Sequence, residues 1–557
     1  MSLTAIVGNA TWSTLAQRAR RRFRAALREP HATQGAVLAR TLSANAATEF
    51  GRAADFPAIL SARSVPAMIA AYQHRVPVRS YDEFDPFIAR IAAGERDVLT
   101  MEPTVRLTPS SGSTAAAKLL PQTKASAREW SNAVDAWIAD LYWRTPALLG
   151  GQAYWSITPS VSFGAVVEER FGRGARRPAV PIGFEDDSAY LGGVRQRLVD
   201  AVLAVPNDVR WVADPDAFRY VTLLFLLRAR TLRLISVWHP SFLLQLLDAL
   251  PRWFGSIVDD IARGTLNAPG ALPPDVRQRL QRHVGRDPGR ANELRTLPGA
   301  SPASMWPHLS LVSCWRDGPA KPYAERLARV LPHATMQPKG LIATEGIVSI
   351  PFAGRHPLAI GSQFLEFIDG AGHPRLAHEL STGDEYEVVL TTAGGLYRYA
   401  LGDRIRVTGW IEATPSIEFA GRADGVSDRF GEKLSDGFVT GVLSQIFSAV
   451  GPPRFAMLAP ETTAAGIAYT LLVEPDGTLP EQLEASLERA LRQNPHYAWC
   501  VDLGQLRPAR VVRVGPHADR AYLDACVARG QRLGDVKPAS LARDGGWEAR
   551  LAVSSSS

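Results

Sequence analysis

Cysteine is scarce in this chain: three among 557 residues, Cys314, Cys500 and Cys526. They lie far apart, so neither a disulfide framework nor the close spacing of a thiolate metal site is available. No basic segment followed by an apolar one opens the sequence, and apolar runs such as Val221 to Leu227 fall far short of the ~20 residues that cross a bilayer. These absences lead to the expectation of a soluble, unprocessed, cytoplasmic protein with no membrane partner. Charge of one sign is also weak, with a formal net charge of +7 over the whole length and local basicity only from Arg18 to Arg24. Leu15, Ala19, Phe23 and Leu27 recur through that stretch at four-residue spacing, so its arginines read as the solvated face of an amphipathic helix. No nucleic-acid partner is expected.

Lysine is the most informative shortage. Of 62 cationic residues only six are lysines: Lys118, Lys124, Lys321, Lys339, Lys433 and Lys537. Arginine is a planar, permanently charged fork, whereas lysine is a compact point charge that can enter a narrow pocket and meet a single oxygen. A chain that otherwise relies on arginine marks its special cationic positions by using lysine.

What is present is a large apolar content, 46% of residues, enough to bury a sizeable core and to build more than one domain. Apolar, β-branched runs such as Leu232 to Trp238 and Leu309 to Trp315 read as buried strands, separated by helical stretches such as Pro215 to Arg230. The passage from Ala268 to Pro302, rich in proline and glycine, reads as a surface excursion. Around Gly421 to Gly437 glycines and charges crowd together, and the remainder alternates helix and strand. The expected fold class is α/β, with a large domain over 1–425 built of helix-covered β-sheets and a small α+β domain over 426–557, the glycine-rich segment acting as a hinge.

Four segments carry candidate chemistry. Thr108 to Lys118 (TPSSGSTAAAK) places hydroxyls beside a glycine, so that consecutive N–H groups can converge on phosphate oxygens while Lys118 offsets their charge. An ordinary polar turn fits the same residues, and the G-x-x-x-x-G-K-[ST] loop is missing. Leu341 to Ile347 (LIATEGI) sets Thr344 and a lone carboxylate, Glu345, among apolar neighbours, where the carboxylate could hold Mg²⁺; a surface turn is the alternative. Gly395 to Gly409 contains Gly402-Asp403 between two strand-like segments, and an aspartate at such a turn can accept both hydroxyls of a ribose. Arg422, Lys433 and Lys537 are cations that could equally be solvated surface groups.

Taken in order, these segments resemble the Gretchen Hagen 3 family of acyl-acid amido synthetases, within the superfamily of adenylate-forming enzymes. The likeness runs from Thr48 to Phe56 (TEFGRAADF) and Val76 to Glu95 (VPVRSYDEFDPFIARIAAGE) through TPSSGSTAAAK, WPHLSLVSCW, LIATEG and LYRYALGDRIRV. It closes at SDRFGEKLSD and GDVKP. The resemblance implies an N-terminal domain that binds ATP and an acyl acid, and a mobile C-terminal domain. It matches Ser110, Ser111, Gly112, Ser113 and Thr114 to the phosphate loop and Glu345 to a glutamate linked to the metal. Asp403 matches the ribose-binding aspartate, and Lys433 and Lys537 match lysines of the hinge and the C-terminal domain. Leu341 stands where many relatives have a tyrosine near the adenine, and Ala116 and Ala117 where the phosphate loop usually has glycine.

The implied activity is ATP- and Mg²⁺-dependent adenylation of a small carboxylic acid, then acyl transfer to an amine, the amino group of an amino acid, by a monomeric ligase. Lys118, Lys433 and Lys537 are its expected catalytic residues; Thr344 and Arg422 join the nucleotide-binding set. Transfer to coenzyme A, or a non-catalytic relative that only binds nucleotide or acid, are the alternatives. The acid's pocket is expected between Trp130 and Met336, where Trp137, Tyr154, Trp155 and Phe163 would suit a flat or apolar acid, although ordinary core packing is the simpler account of most of them.

Overall fold

The computed structural model describes residues 3–109, 118–156, 179–183, 202–297, 301–422, 426–427, 429–430, 432–528, 536 and 538–552. The fold is mixed α/β with several sheets. A hairpin of β1 (Arg106–Pro109) and β2 (Leu119–Gln122) pairs antiparallel, with Pro109 opposite Leu119, so it closes around the expected phosphate loop. Residues 110–117 lie outside the described residues.

Next comes a four-stranded sheet of β3 (Gln152–Trp155), β4 (Leu232–Ser236), β5 (Leu311–Cys314) and β6 (Thr335–Pro338), in that order and parallel throughout. Parallel neighbours need long crossovers, and helices Pro215–Arg228, Pro240–Arg263 and Lys321–Val330 lie along them. The first of these starts cleanly because Asp214 accepts the Ala217 N–H and Pro215 fills the position whose N–H has no helical partner. It is apolar on nearly all sides because it is buried on nearly all sides.

The sheet divides two apolar cores. Ala153, Leu234 and Leu311 are aligned across three strands and join one core, while their successors Tyr154, Ile235 and Val312 are aligned in the same way and join the other. This follows from the two-residue period of a strand. It also gives Tyr154 the ordinary core role that the sequence allowed it, since that ring is fully buried in the helical core. Trp155 packs on Trp12, and Phe163 lies outside the described residues.

Helix Leu3–Ala26 departs from its expected face. Phe23 and Leu27 are buried, but Leu15 is 50% exposed and Trp12 and Ala16 take the inward positions instead. The four-residue spacing drifts round a helix of 3.6 residues per turn, so it cannot hold one face over twelve residues. Among the arginines, Arg20 points inward to pair with Asp140 at 3.1 Å.

Two short strands, β7 (Ile342–Ala343) and β8 (Gly346–Ile347), form a tight hairpin whose tip is Thr344 and Glu345. Beyond it lies a five-stranded antiparallel sheet in the order β10-β9-β11-β12-β13, made by β9 (Phe364–Ile368), β10 (Pro374–Arg375), β11 (Glu385–Thr391), β12 (Tyr399–Ile411) and β13 (Thr414–Arg422). Contrary to the turn expected at Gly402-Asp403, β12 runs straight through it. Glu387 pairs with Arg404 and Val389 with Ala400, so Leu401, Gly402 and Asp403 bulge opposite Val388. Gly402 has φ of +78°, a backbone state that a side chain would strain, which is why glycine occupies the bulge.

The minor ladder of β14 (Val426–Ser427) and β15 (Leu434–Ser435) leads into a third sheet: β16 (Phe455–Thr463) and β17 (Gly466–Glu474) antiparallel, β18 (Arg507–Arg513) parallel to β17. Two apolar clusters, one on each face, hold helices against it. Among the described residues no helix is long and apolar enough to cross a membrane.

Candidate active site

The segment LYRYALGD organises the site by pointing successive side chains to different places. Tyr397 is fully buried and its hydroxyl donates to the Leu99 carbonyl at 2.7 Å. Arg398, held at φ of +49°, turns away to a buried partner, Glu366, at 2.9 Å. Tyr399 turns the other way. Its hydroxyl donates to Glu345 Oε1 at 3.3 Å and accepts from Lys118 Nζ at 3.5 Å.

One phenol therefore joins the flank of the phosphate-loop hairpin to the tip of the β7–β8 hairpin. Lys118 also lies 5.4 Å from the centre of the Tyr81 ring, whose hydroxyl accepts the Leu119 N–H at 2.8 Å. Tyr399 packs against Phe84, and burial together with the adjacent Glu345 carboxylate pushes its hydroxyl pKa well up, so it remains a donor at neutral pH. Replacing it with phenylalanine keeps the ring packing and removes both contacts. Tyr399→Phe is expected to lower turnover about 2- to 10-fold, the value of one ordinary hydrogen bond, with unchanged thermal unfolding; unaltered steady-state rates would refute this.

Asp403, on the bulge four residues along β12, is buried and faces Arg422 directly across the ladder, with Oδ1 3.2 Å from its guanidinium. Thr344 and Glu345 line a small cavity with Gln122, Ser126, Glu129, Trp130, Gln363, Thr392, Gly394 and Leu396. Thus Lys118 and Glu345 meet at one hydroxyl, Thr344 and Glu345 share one cavity, and Asp403, farther along β12, pairs with Arg422 on the adjacent β13.

Lys433 stands apart. It is exposed, has φ of +46°, and its carbonyl accepts from the Asn494 amide at 3.3 Å. Its neighbour Glu432 is the buried member of that segment, accepting from the N–H groups of Arg429 and Phe430 and from the Tyr469 hydroxyl. Lys537 and Ser110, Ser111, Gly112, Ser113 and Thr114 lie outside the described residues.

Three groups belong here that sequence reasoning left without a role. Tyr399 is the first. The second is Lys339, immediately beyond β6 at the carboxyl edge of the parallel sheet, where open α/β sheets place their ligands. Its ammonium donates to Ser236 Oγ at 2.5 Å and lies 5.1 Å and 4.9 Å from the ring centres of Trp137 and Trp238. Gly340 follows at φ of +75°, against the Ser349 carbonyl, and turns the chain toward Glu345. Lysine scarcity was the signal that could have found it. The third is Glu129, 6% exposed, whose two oxygens share the Ala393 N–H at 3.1 and 3.2 Å. Burial pushes its carboxyl up to about 8.

Comparison with known proteins gives a consistent result along the chain. The model of the GH3 family N-terminal domain matches residues 19–336, that of the GH3 family central domain 357–422, and that of the GH3 family C-terminal domain 447–545. The chain is 25% identical over 456 residues to a probable indole-3-acetic acid-amido synthetase, GH3.12, of Oryza sativa subsp. japonica, covering 72% of this chain and 70% of that protein. It is 24% identical over 432 residues to the indole-3-acetic acid-amido synthetase GH3.2 of Arabidopsis thaliana, covering 71% and 74%. Among solved structures, AtGH3.15 acyl acid amido synthetase in complex with 2,4-DB superposes with a TM-score of 0.81 at 17% identity, over 97% of this chain and 96% of that one.

Proposed function

The chain belongs to the GH3 family, and from that premise we propose that it is a ligase that adenylates a small carboxylic acid with ATP and passes the acyl group to an amine, forming an amide and releasing pyrophosphate and AMP. The observation that carries the proposal is the Tyr399 hydroxyl, which ties Lys118 to Glu345 beside a cavity. Three segments distant in sequence meet there, each with a group suited to one part of a nucleotide.

In this reading Asp403 takes the ribose hydroxyls, with Arg422 holding its carboxylate in place. Ser110, Ser111, Gly112, Ser113 and Thr114 are the residues that cradle the phosphates. Glu345, with Thr344 beside it, offers the hard oxygen donors that suit Mg²⁺. Among the described residues no cluster of three or more metal-ligating side chains occurs, and Mg²⁺ commonly binds one or two carboxylates with phosphate and water completing its shell. When bound, the ion supplies positive charge to the triphosphate oxygens.

The acid's carboxylate must approach the α-phosphorus, and two unit anions ~4 Å apart repel by about 4 kcal/mol at an effective dielectric of 20. Lys118 supplies a fixed positive charge from the phosphate side. The acid approaches from the carboxyl edge of the parallel sheet, where Lys339, packed against Trp137 and Trp238, is the cation for its carboxylate. Indole walls suit an aromatic or otherwise flat apolar acid. Residues 426–557 form the mobile part, which carries Lys433 and brings Lys537 to the reacting groups. Three free, buried cysteines accord with a reducing cytoplasm, where the enzyme acts as a monomer.

The test is exchange of labelled pyrophosphate into ATP in the presence of a library of carboxylic acids. Acid-dependent exchange, followed by an amide product with amino acids, supports the proposal. Folded protein that exchanges with none of the acids refutes it, and a thioester product with coenzyme A but no amide refutes its second half.

A further inference from the structure

A part of a protein that changes orientation cannot be welded to its neighbour by a shared apolar core. Among the described residues the buried apolar side chains fall into four clusters, two reaching no further than Phe419 and two beginning at Leu434 or later. No cluster crosses from the first part of the chain to the last. Where the interface is not a large apolar one, relative motion is the default and other contacts decide how the parts sit. One such contact is close-packed backbone: helix Asp436–Ile446 lies against β13, where a Cβ on Gly437 would come within 2.5 Å of the Ala420 carbonyl. The other is made of charge.

Helix Ala518–Ala528 carries Asp519, Arg520 and Asp524 to the helices that flank the parallel sheet. Arg520 reaches Asp216, on helix Pro215–Arg228, at 3.6 Å. That carboxylate also meets Arg219 at 3.0 Å and Arg252, from helix Pro240–Arg263, at 3.5 Å, so three guanidiniums share it. Asp524, 3.9 Å from Arg520, offsets part of the excess. Next to Arg520, Asp519 lies within the field of Asp248, on helix Pro240–Arg263, and of Arg326, on helix Lys321–Val330, which itself holds Asp248 at 3.1 Å. Arg454, just before β16, also bears on Asp248. Burial above all, helped by Asp248, holds the Asp519 carboxyl above the usual carboxylate range, against the opposing pull of the Arg520 N–H, Arg326 and His517. A raised value means that the ionised carboxylate disfavours this arrangement, so Asp519 works against its neighbour Arg520.

We propose that these residues form a charge-held seat for the C-terminal part, in which Arg520 on Asp216 holds and Asp519 beside Asp248 loosens. This rests on the mobility assigned above to residues 426–557. A partly exposed ion pair is weak and is screened by salt, which suits a part that has to leave its seat and return. The counterweight keeps the hold from becoming permanent. Asp216, Asp248, Arg252 and Arg326 belong to helices of the second core, not to the compartment of the β1–β2 and β7–β8 hairpins. The seat therefore sets how often each orientation is visited and leaves the groups that face the nucleotide untouched.

The test uses the full chain with fluorophores on Gln278→Cys and Gln505→Cys, both exposed and one in each part, the native cysteines being buried. Energy transfer between the dyes reads orientation without any substrate. At low salt Arg520→Glu is expected to raise the ratio of released to seated protein about 2- to 10-fold, and Arg520→Gln to raise it less. A carboxylate is favourable in the first turn of a helix, so the variant keeps its fold. In about 1 M salt, where charges are screened beyond roughly 3 Å, the parent and both variants converge. Asp519→Asn shifts the ratio the other way. No shift in Arg520→Glu, a shift that persists at high salt, or a shift of Asp519→Asn in the same direction each overturns the proposal. A second arm depends on the ligase reading: the ratio of amide formed to pyrophosphate exchanged moves in opposite senses in Arg520→Glu and Asp519→Asn, and an equal ratio in both overturns the seat's part in turnover. Absence of exchange in the parent, with the fluorescence shifts intact, overturns the ligase reading instead.

Discussion

Asp403→Ala is expected to lower acid-dependent exchange of pyrophosphate into ATP by a factor of about 10² to 10⁴. The magnitude follows from two hydrogen bonds to a charged acceptor, each worth roughly 1.5–3 kcal/mol. Asp403 is suited to that role by its setting: it is buried, it stands on a bulge that re-aims its side chain out of the regular pleat, and Arg422 holds one of its oxygens at 3.2 Å. The alternative, that Asp403 only pairs with Arg422 to support the sheet, predicts a different outcome. In that case Arg422→Ala and Asp403→Ala would lower stability alike and leave the KM for ATP untouched. Comparing KM for ATP with the urea midpoint in both variants separates the two. Near-normal exchange in a folded Asp403→Ala protein removes the ribose assignment.

Glu366→Ala is expected to cost about 3–5 kcal/mol of stability, a large share of the roughly 5–15 kcal/mol that holds a domain together. Glu366 has no exposed surface and Arg398 almost none. Their 2.9 Å contact is one strand of a closed network: Gln73 donates to Glu366, and Arg398 donates to the carbonyls of Gln73 and Val76. Removing the carboxylate leaves a guanidinium buried without its counter-charge, in a residue whose left-handed backbone already carries strain. Changing both partners together should cost less than the sum of the single changes, because no orphaned charge remains. Hydrogen exchange of amides in β9 and β11 reads this locally. A loss under 1 kcal/mol would show that the network is dispensable.

The sequence disclosed architecture better than it disclosed direction. LRLISVW and LSLVSCW are predominantly apolar because both faces of β4 and β5 are covered, so they were readable as buried strands. The motifs were legible as segments but not in their backbone setting: Thr344 and Glu345 form a hairpin tip, and Asp403 stands on a bulge within a continuous strand where a turn was expected. Tyr399 was not legible, because which way it points depends on three bulged residues and on the positive φ of Arg398. Glu129 was hidden among polar neighbours such as Arg128 and Ser131, which make that turn of helix look solvated. Its burial comes from the turn at Ala393, contributed from far along the chain. Lys339 was marked by its rarity, but nothing in the surrounding sequence announces that Trp137 and Trp238 converge on it.

The parallel sheet has one more consequence. Leu234 and Ile235 are bonded neighbours along β4, yet each addresses a different core and shares its packing with residues that the other never meets. The sheet therefore confines the communication between the two cores to its carboxyl edge, where Tyr323 of the helical core meets His239, His239 meets Trp315, and Trp315 meets Trp238 on the other side. A repacking around Ile235 reaches the compartment of the β1–β2 and β7–β8 hairpins by way of that row of rings.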